Sequence, residues 1–346
     1  MTEYDRESAS IPERPLRDDL PPVQPPSAGF IVQLFIFPAL IVMAVVAIWW
    51  MFGLIALGEQ DWHKLVQELQ SPNLHIRNRA MYGLAQVMIQ DSRRGQQGQN
   101  LRANREIAQG LTDQLILELR KNSVSRDGVA IQEYLTHALG MMDLIEVTGP
   151  ALYLAMEPHR DIDIRKSAVI SLSLVAGRAF DLKQPLGTAE GVEALIRLST
   201  DSLPVLRQSA AFALGLFDSP EATHQLEVLL GDSDQLTRVN AAIGLARHDS
   251  TAGYQVIIDS LKFSNVMKLP ITAIGVDEKS TAAGEQFLVV KNLLNAVTSL
   301  VPRFNDEQRH ELIPLVEQLS NDHAELRIRI DAATALNKLK EAAAEK

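Results

Sequence analysis

The side chains that usually carry enzymatic chemistry are present in this chain, but their spacing matches no catalytic or metal-binding pattern. The chain has eight His and no Cys, and no two His lie four residues apart, the spacing that puts two metal ligands on one helix face. His310 and Glu311 form a single His-Glu dipeptide, which is typical of an exposed helix surface. No Gly-rich phosphate loop and no Gly-x-Ser-x-Gly elbow occurs. The sequence therefore predicts a non-catalytic protein with no metal, no cofactor and no evident small-molecule substrate.

One pattern recurs along the chain instead: an Arg, an Ala three residues later, and a Leu four residues after the Ala. It begins at Arg77, Arg165, Arg207, Arg238 and Arg329. Two degenerate copies begin at Gln132 and near Val290. A protein is not expected to carry five copies of one active site. We therefore assign these Arg residues to the structural frame of a repeat, with anion binding as the alternative.

Apolar residues at three- and four-residue spacing predict one helix before each copy and a second helix that carries the copy. The first helices are predicted at residues 62–69, 105–121, 148–157, 188–199, 220–230, 251–262 and 306–320. Seven helix pairs over residues 61–340 give about 40 residues per repeat, with insertions at about 91–104 and 264–283 and a tail at 341–346. The small Ala lets helices of adjacent repeats approach closely. Since no single pair can bury its apolar face, the repeats must stack into a solenoid.

The second helices read VLRQSAAFALGLF at residues 205–217 and LTRVNAAIGLARH at residues 236–248. They resemble HEAT repeats, especially the bacterial class found in bilin lyases, and the resemblance covers residues 61 to about 340. It implies an all-α, right-handed solenoid whose second helices line the concave side. It also implies that each motif Arg reaches a backbone or acidic partner in an adjoining repeat. Such repeats serve scaffolds, adaptors, a few lyases and some DNA-repair enzymes, while the HEAT-type di-iron hydroxylases use several His-Glu pairs where this chain has one.

The side chains two residues after each motif Ala are the candidates for partner binding. At ~100° per residue they point about 200° away from the Ala, towards the concave surface. They are Tyr82, Ile170, Phe212 and Ile243, with His137 and Thr334 in the outer copies. Apolar residues there predict either a groove for a partner helix or extended peptide, or lateral packing between tightly curved neighbouring helices.

The segment at residues 29–57 carries no charge over 29 positions. At ~1.5 Å per residue such a helix spans about 43 Å, more than the ~30 Å core of a bilayer, so we predict one tilted transmembrane helix. Trp49 and Trp50 are placed at the membrane interface. A buried core helix is the alternative. The Pro-rich, acidic residues 1–28 are predicted to be a disordered tail.

The orientation of this span and the role of the two insertions stay open. Lys and Arg are balanced on its two sides, but the acidic tail and the basic loop at residues 91–105 favour a cytoplasmic solenoid. That loop carries Arg93, Arg94, Arg102 and Arg105, which either contact anionic lipid headgroups or lie in a solvated insertion. The segment at residues 264–284 contains the apolar run KLPITAIGV, which either folds over the solenoid edge or contacts a partner.

The charge balance, with 33 Lys+Arg against 43 Asp+Glu, argues against nucleic-acid binding. We therefore predict a single-pass, membrane-anchored, non-catalytic scaffold or adaptor that binds membrane-associated protein partners on its concave face. A regulatory or assembly subunit of a membrane transport or secretion complex is the alternative. A lyase-type HEAT enzyme is the third candidate, but it would need a convergent cluster of titratable groups on the concave face, where the sequence places mainly Ala, Leu and Ile.

Overall fold

The computed structural model describes residues 28–56, 61–184, 186, 189–266 and 278–344, and these residues form α-helices joined by short turns, with no β-strand. The prediction of an all-α chain is confirmed. The helices are α1 Ala28–Ala56, α2 Trp62–Leu69, α3 Leu74–Arg94, α4 Arg105–Arg120, α5 Arg126–Gly140, α6 Ile145–Ala155, α7 Ile162–Asp181, α8 Ala189–Leu198, α9 Pro204–Leu214, α10 Pro220–Leu229, α11 Gln235–Arg247, α12 Tyr254–Val266, α13 Glu278–Leu300, α14 Asp306–Asp322 and α15 Leu326–Ala344.

The chain divides into two compact units, Met1–Glu59 and Gln60–Lys346. The described part of the first unit is α1, which has side chains described at residues 29, 33 and 35–51. Large apolar side chains of α1, including those of Trp49 and Trp50, are exposed. Among the residues that the structure describes, no helix is both long and apolar enough to cross a membrane. The predicted tail at residues 1–28 lies outside the described residues, apart from its last residue.

The second unit is a solenoid of seven consecutive helix pairs, α2–α3 to α14–α15. Its second helices α5, α7, α9, α11, α13 and α15 contact one another in succession. The motif Ala residues on them are buried, as at Ala168, Ala210 and Ala332. Stacking therefore supplies the core that no single pair can form alone.

The buried apolar residues form two clusters that share α11. Ala241 and Leu245 belong to the cluster formed with the preceding repeats. Val239, Ala242 and Ile243 belong to the cluster formed with α12 to α15. A helix that is apolar on both faces is buried on both faces, and α11 is such a helix.

The ends of the helices are set by side chains that bind free backbone N–H groups. Asp61, Asn104 and Asp234 each accept hydrogen bonds from the first turn of the helix that follows. Asn305 forms a capping box with Gln308 at the start of α14. These polar residues help to fix where α2, α4, α11 and α14 begin.

The basic insertion at residues 91–104 is an ordered part of the solenoid. Helix α3 continues to Arg94, and two short 3-10 helices follow, Gly95–Gln97 and Leu101–Ala103. The buried carboxylate of Asp91 accepts hydrogen bonds from the backbone N–H groups of Gln99 and Leu101. Arg102 Nε donates to the carbonyl of Met141 at 3.0 Å, so one of the three Arg of this insertion is used for packing on the next repeat. Of the second insertion, residues 267–277 lie outside the described residues.

The second helices α9 and α11 approach each other closely at two Gly residues. A Cβ placed on Gly215, which ends α9, would lie 2.5 Å from the Cα of Gly244 in α11. Real Cβ atoms do not approach a backbone atom that closely, so the two helices pack backbone against backbone here. Any larger side chain must push the repeats apart.

Gly215→Ala is expected to destabilise the chain by about 1–3 kcal/mol, because overpacking a rigid contact between backbones cannot be relieved by a rotamer change. Gly177→Ala is the matched control, since its Cβ would meet no atom nearer than Leu216 Cδ1 at 4.0 Å. In the interior of α7 that change is expected to leave stability unchanged or to raise it slightly. Urea unfolding of both variants measures the difference. Equal stability of the two variants would contradict the close packing.

Candidate partner-binding groove

An open groove of about 600 Å³ crosses the four successive second helices α7, α9, α11 and α13. Its apolar floor consists of side chains that the repeat frame leaves free. They are Ile170 and Leu174 of α7, Phe212 of α9, Leu236 of α11, and Leu288 and Val289 of α13. Leu174 and Leu288 are 52% and 56% exposed. Phe212 and Leu236, on the helices between them, are partly buried, and together these side chains form a patch rather than isolated surface positions, which is typical of an interaction surface.

The polar residues of the groove link the helices that form it. Asn240 Nδ2 on α11 donates to the carbonyl of Gln208 on α9 at 3.0 Å. Gln208 Nε2 in turn donates to Asp234 Oδ2 at 3.0 Å, next to the start of α11. These bonds hold α9 and α11 in register. The apolar floor is therefore carried by a cross-braced pair of helices.

Two of the predicted partner-binding residues, Ile170 and Phe212, lie together in this groove. A third, Ile243, lies outside this groove: it is only 4% exposed, belongs to the core shared with α13 and lines the smaller cavity next to Arg247. The position rule gives the direction of a side chain around its own helix, whereas α13 covers that direction of α11. For Ile243 this burial favours lateral packing, the alternative to a groove position.

Tyr82 and His137 are placed further towards the N-terminus, on α3 and α5, and do not line the groove. Tyr82 is half-exposed and packs edge-on against Tyr134, with ring centroids 4.4 Å apart. Burial, together with Tyr82, raises the pKa of Tyr134 to about 12. His137 is exposed and its Nε2 lies 3.4 Å from Ser167 Oγ. Thr334 is exposed on α15.

The motif Arg residues bind backbone carbonyls in the turn before their own helix. In four of the five copies, Nη1 donates to the carbonyls six and five residues earlier. The pairs are Arg77 with Ser71 and Pro72, Arg207 with Asp201 and Ser202, Arg238 with Asp232 and Ser233, and Arg329 with His323 and Ala324. Each Arg thus closes the turn between the two helices of its pair. Because these hydrogen bonds use Nη1, none of these four Arg residues has its whole guanidinium free to bind an anionic ligand.

Two motif Arg residues also join one repeat to the next through a carboxylate. Arg165 forms an ion pair with Asp201, and Arg207 forms a two-pronged pair with Asp232 at 2.8 and 2.9 Å. Hydrogen bonds from Arg207 hold the pKa of Asp232 below its usual value. The sequence analysis did not single out these Asp residues. An Asp-Ser step six residues before Arg207 and Arg238 was the available signal.

The other residue that sequence reasoning missed is Arg247, the last residue of α11. Its guanidinium carbon lies 4.9 Å from the ring centroid of Phe212, a cation–π arrangement. Burial lowers the pKa of Arg247, and the charge of Asp181 opposes that shift. Arg247 lies outside the repeated motif, so no pattern in the sequence separates it from a surface Arg.

The His-Glu dipeptide takes part in packing between α12 and α14. Glu311 accepts hydrogen bonds from Tyr254 Oη at 2.9 Å and from Lys262 Nζ at 3.1 Å, while His310 Nδ1 lies 2.7 Å from the carbonyl of Asp306. Within the described ranges, no group of three or more His, Asp or Glu is placed to hold a metal ion.

Residues 191–266 match the family of HEAT repeats. Among curated proteins, none matches the chain. One similar solved structure is the complex of CpcE and CpcF of phycocyanin lyase from Nostoc sp. PCC7120, with 14% identity, a TM-score of 0.41, and coverage of 81% of this chain and 95% of that chain. Another is a designed armadillo repeat protein in complex with the peptide (KR)4, with 15% identity, a TM-score of 0.39, and coverage of 81% and 100%. The HEAT match supports the predicted repeat superfamily, and no particular function follows from these likenesses.

The Arg207–Asp232 pair generates a prediction for acid stability. Because the pKa of Asp232 is lowered on folding, its contribution to the free energy of unfolding is complete above its unfolded pKa of about 4. The contribution is lost as the pH falls through the lower, folded pKa. Arg207→Gln is expected to cost about 2–3 kcal/mol at pH 7, since it leaves a nearly buried carboxylate without its cation.

This cost should shrink below about pH 4, where Asp232 becomes protonated in the variant. Denaturant unfolding across pH 3–7 measures it. Arg197→Gln is the matched control, because Arg197 pairs with Glu193 in an exposed setting, and exposed pairs contribute little. A cost for Arg207→Gln that stays constant across this pH range would contradict the assigned role of Asp232.

Proposed function

We propose that this chain is a non-catalytic scaffold or adaptor that binds a protein partner in the groove across α7, α9, α11 and α13. The observation that supports this most directly is the patch of apolar side chains across these helices, of which Ile170, Leu174 and Leu288 are exposed. Leaving such side chains in water is unfavourable by roughly 25 cal/mol per Å² of apolar surface. A partner that covers them recovers this free energy, which makes the groove a favourable place to bind.

The shape of the groove favours a segment of a protein over a small molecule. Its lining comes from four successive second helices, and it is open to solvent. A compact ligand is normally enclosed on most of its surface, whereas a helix or an extended peptide can lie along an open, ridged surface. The partner is therefore expected to contribute a row of apolar side chains.

We further propose that the uncharged segment at residues 29–57 anchors the solenoid in a membrane and that the partner is membrane-associated. The absence of any charge over these residues supports the anchor. Tethering both proteins to one bilayer raises their effective concentration, so a modest affinity in the groove is sufficient. The acidic residues before the segment and the basic loop at residues 91–105 favour a cytoplasmic solenoid.

The groove can be tested by photo-crosslinking in the full-length chain. A photo-reactive amino acid in place of Leu174 is expected to give specific protein adducts, and the same amino acid in place of Val228 is not. Val228 is the matched control because it is also apolar and 55% exposed but lies on the first helix α10.

Adding Leu288→Asp should abolish the adducts at position 174, since a charge on the apolar floor must lose its water on binding. The thermal midpoint should stay within a few degrees of the parent, because an exposed side chain has been changed. Equal adduct yields at positions 174 and 228, or adducts that survive Leu288→Asp, would remove the support for the groove.

The anchor can be tested by alkaline carbonate extraction of cell membranes. The full-length chain is expected to remain in the membrane pellet, and the double variant Ile41→Arg, Val45→Arg is expected to enter the supernatant. Each Arg near the centre of a span costs roughly 2.5–3.5 kcal/mol of insertion free energy. Val228→Arg in the solenoid is the control and should stay in the pellet. Release of the unmodified chain would show that it has no membrane span.

A further inference from the structure

Arg247 differs from Arg178 and Arg207 because no carboxylate of the described residues lies within ion-pair distance of it. Arg178 lines the groove and pairs with Asp143, Nε to Oδ1 at 2.6 Å. Arg207 pairs with Asp232. No described residue hydrogen-bonds the guanidinium of Arg247 or forms an ion pair with it, and its Nη1 is buried without a partner. A partly buried cation that lacks a hydrogen-bonding partner is costly in free energy, so its place in the structure calls for an explanation.

The surroundings of Arg247 form a second cavity of about 300 Å³ beside the groove. Asn292 lines both the groove and this cavity, so the two adjoin. Asn295 and Ser299 of α13 also line the cavity, and no described residue hydrogen-bonds the side-chain amides of Asn292 and Asn295. The hydroxyl of Ser299 is already used, because it donates to the carbonyl of Ala296 at 2.9 Å. The cavity therefore offers a guanidinium and two amides at the edge of an apolar floor. These are the donors that bind a carboxylate.

The remaining charges around this cavity are mostly compensated. Asp249 is paired with Arg303, Nη2 to Oδ2 at 3.2 Å. Asp181, at the end of α7, lines the groove and has no ion-pair partner among the described residues. The negative charge of Asp181 acts on Arg247, but the carboxylate of Asp181 does not lie within ion-pair distance of the Arg247 guanidinium. A ligand carboxylate that approaches Arg247 gains a strong, partly desolvated partner and meets a weaker repulsion from Asp181.

We propose that the groove selects partner segments in which a carboxylate stands next to apolar side chains, and that Arg247 binds this carboxylate. This inference rests on the proposed function, in which the groove is the site for a protein partner. The apolar side chains of the segment lie on Phe212 and its neighbours. The carboxylate enters the adjoining cavity and gives Arg247 the hydrogen bonds that the chain itself does not supply.

The experiment uses the immobilised full-length chain and a displayed library of short random peptides. Asp or Glu is expected to be enriched at a fixed distance from Leu, Ile, Val or Phe. Representative peptides are then synthesised with free and amidated C-termini, and their Kd values are measured by fluorescence anisotropy. If only free-acid peptides bind, the carboxylate is the chain terminus of the partner. If both forms bind, it is a side chain.

Arg247→Gln is expected to weaken the binding of acidic peptides about tenfold, because one charge-assisted hydrogen-bonded pair is lost. It should leave peptides with Asn or Gln in place of the acid unchanged. Asp181→Asn should tighten the acidic peptides about two- to threefold by removing a like charge, and a gain in affinity cannot result from misfolding. Arg120→Gln, an exposed Arg on α4, is the control and should change nothing. Thermal unfolding of each variant verifies that the solenoid is intact.

The possible failures are distinguishable. If the enriched peptides lose binding in Leu174→Asp but show no acidic preference and no dependence on Arg247, the carboxylate inference is overturned and the groove stands. If acidic peptides are enriched but bind equally well to Arg247→Gln, another cation binds them and the inference is again overturned. If no peptide is enriched, or if binding survives Leu174→Asp, the proposed groove fails and the role of Arg247 fails with it.

Discussion

Every part of the solenoid depends on the close stacking of helices that cannot bury their apolar faces within one pair. Small residues make this possible: the motif Ala residues are buried, and at Gly215 and Gly244 two backbones come together. In four of the pairs the motif Arg then closes the turn by binding its free carbonyls. The residues that pack against neighbouring helices and the Arg that binds the turn therefore occupy one face of the second helix. That face stabilises the fold.

The opposite face of the second helices is not needed for this stacking. Where successive helices continue side by side, as at α7 and α9, the positions on this face remain open and apolar, and they form the groove. Where another helix lies across them, as α13 does over α11, they enter the core instead. One stacking rule thus produces both a surface and a core, according to what covers each helix.

The Arg residues illustrate how one side chain takes different roles in the same scaffold. Arg207 donates hydrogen bonds to a carboxylate and to two carbonyls, so its charge is compensated within the chain. Arg247 stands at the end of α11 over an aromatic ring, next to amides that bind nothing else among the described residues. The difference is one of surroundings, because the two residues have the same chemistry. The guanidinium of Arg247, which lacks hydrogen-bonding partners among the described residues, distinguishes this groove from a purely apolar patch.

The sequence by itself determined the helical fold and the paired repeats, because apolar periodicity and buried Ala are local properties of each segment. It also selected Ile170 and Phe212, since their direction follows from the helical turn alone. Only the tertiary structure decided that Ile243 is buried, because that depends on where α13 crosses α11. The Arg165–Asp201 and Arg207–Asp232 pairs and the isolation of Arg247 likewise depend on which repeats become neighbours in space. Such contacts between distant residues carry no periodic signal, so they appear only once the helices are stacked.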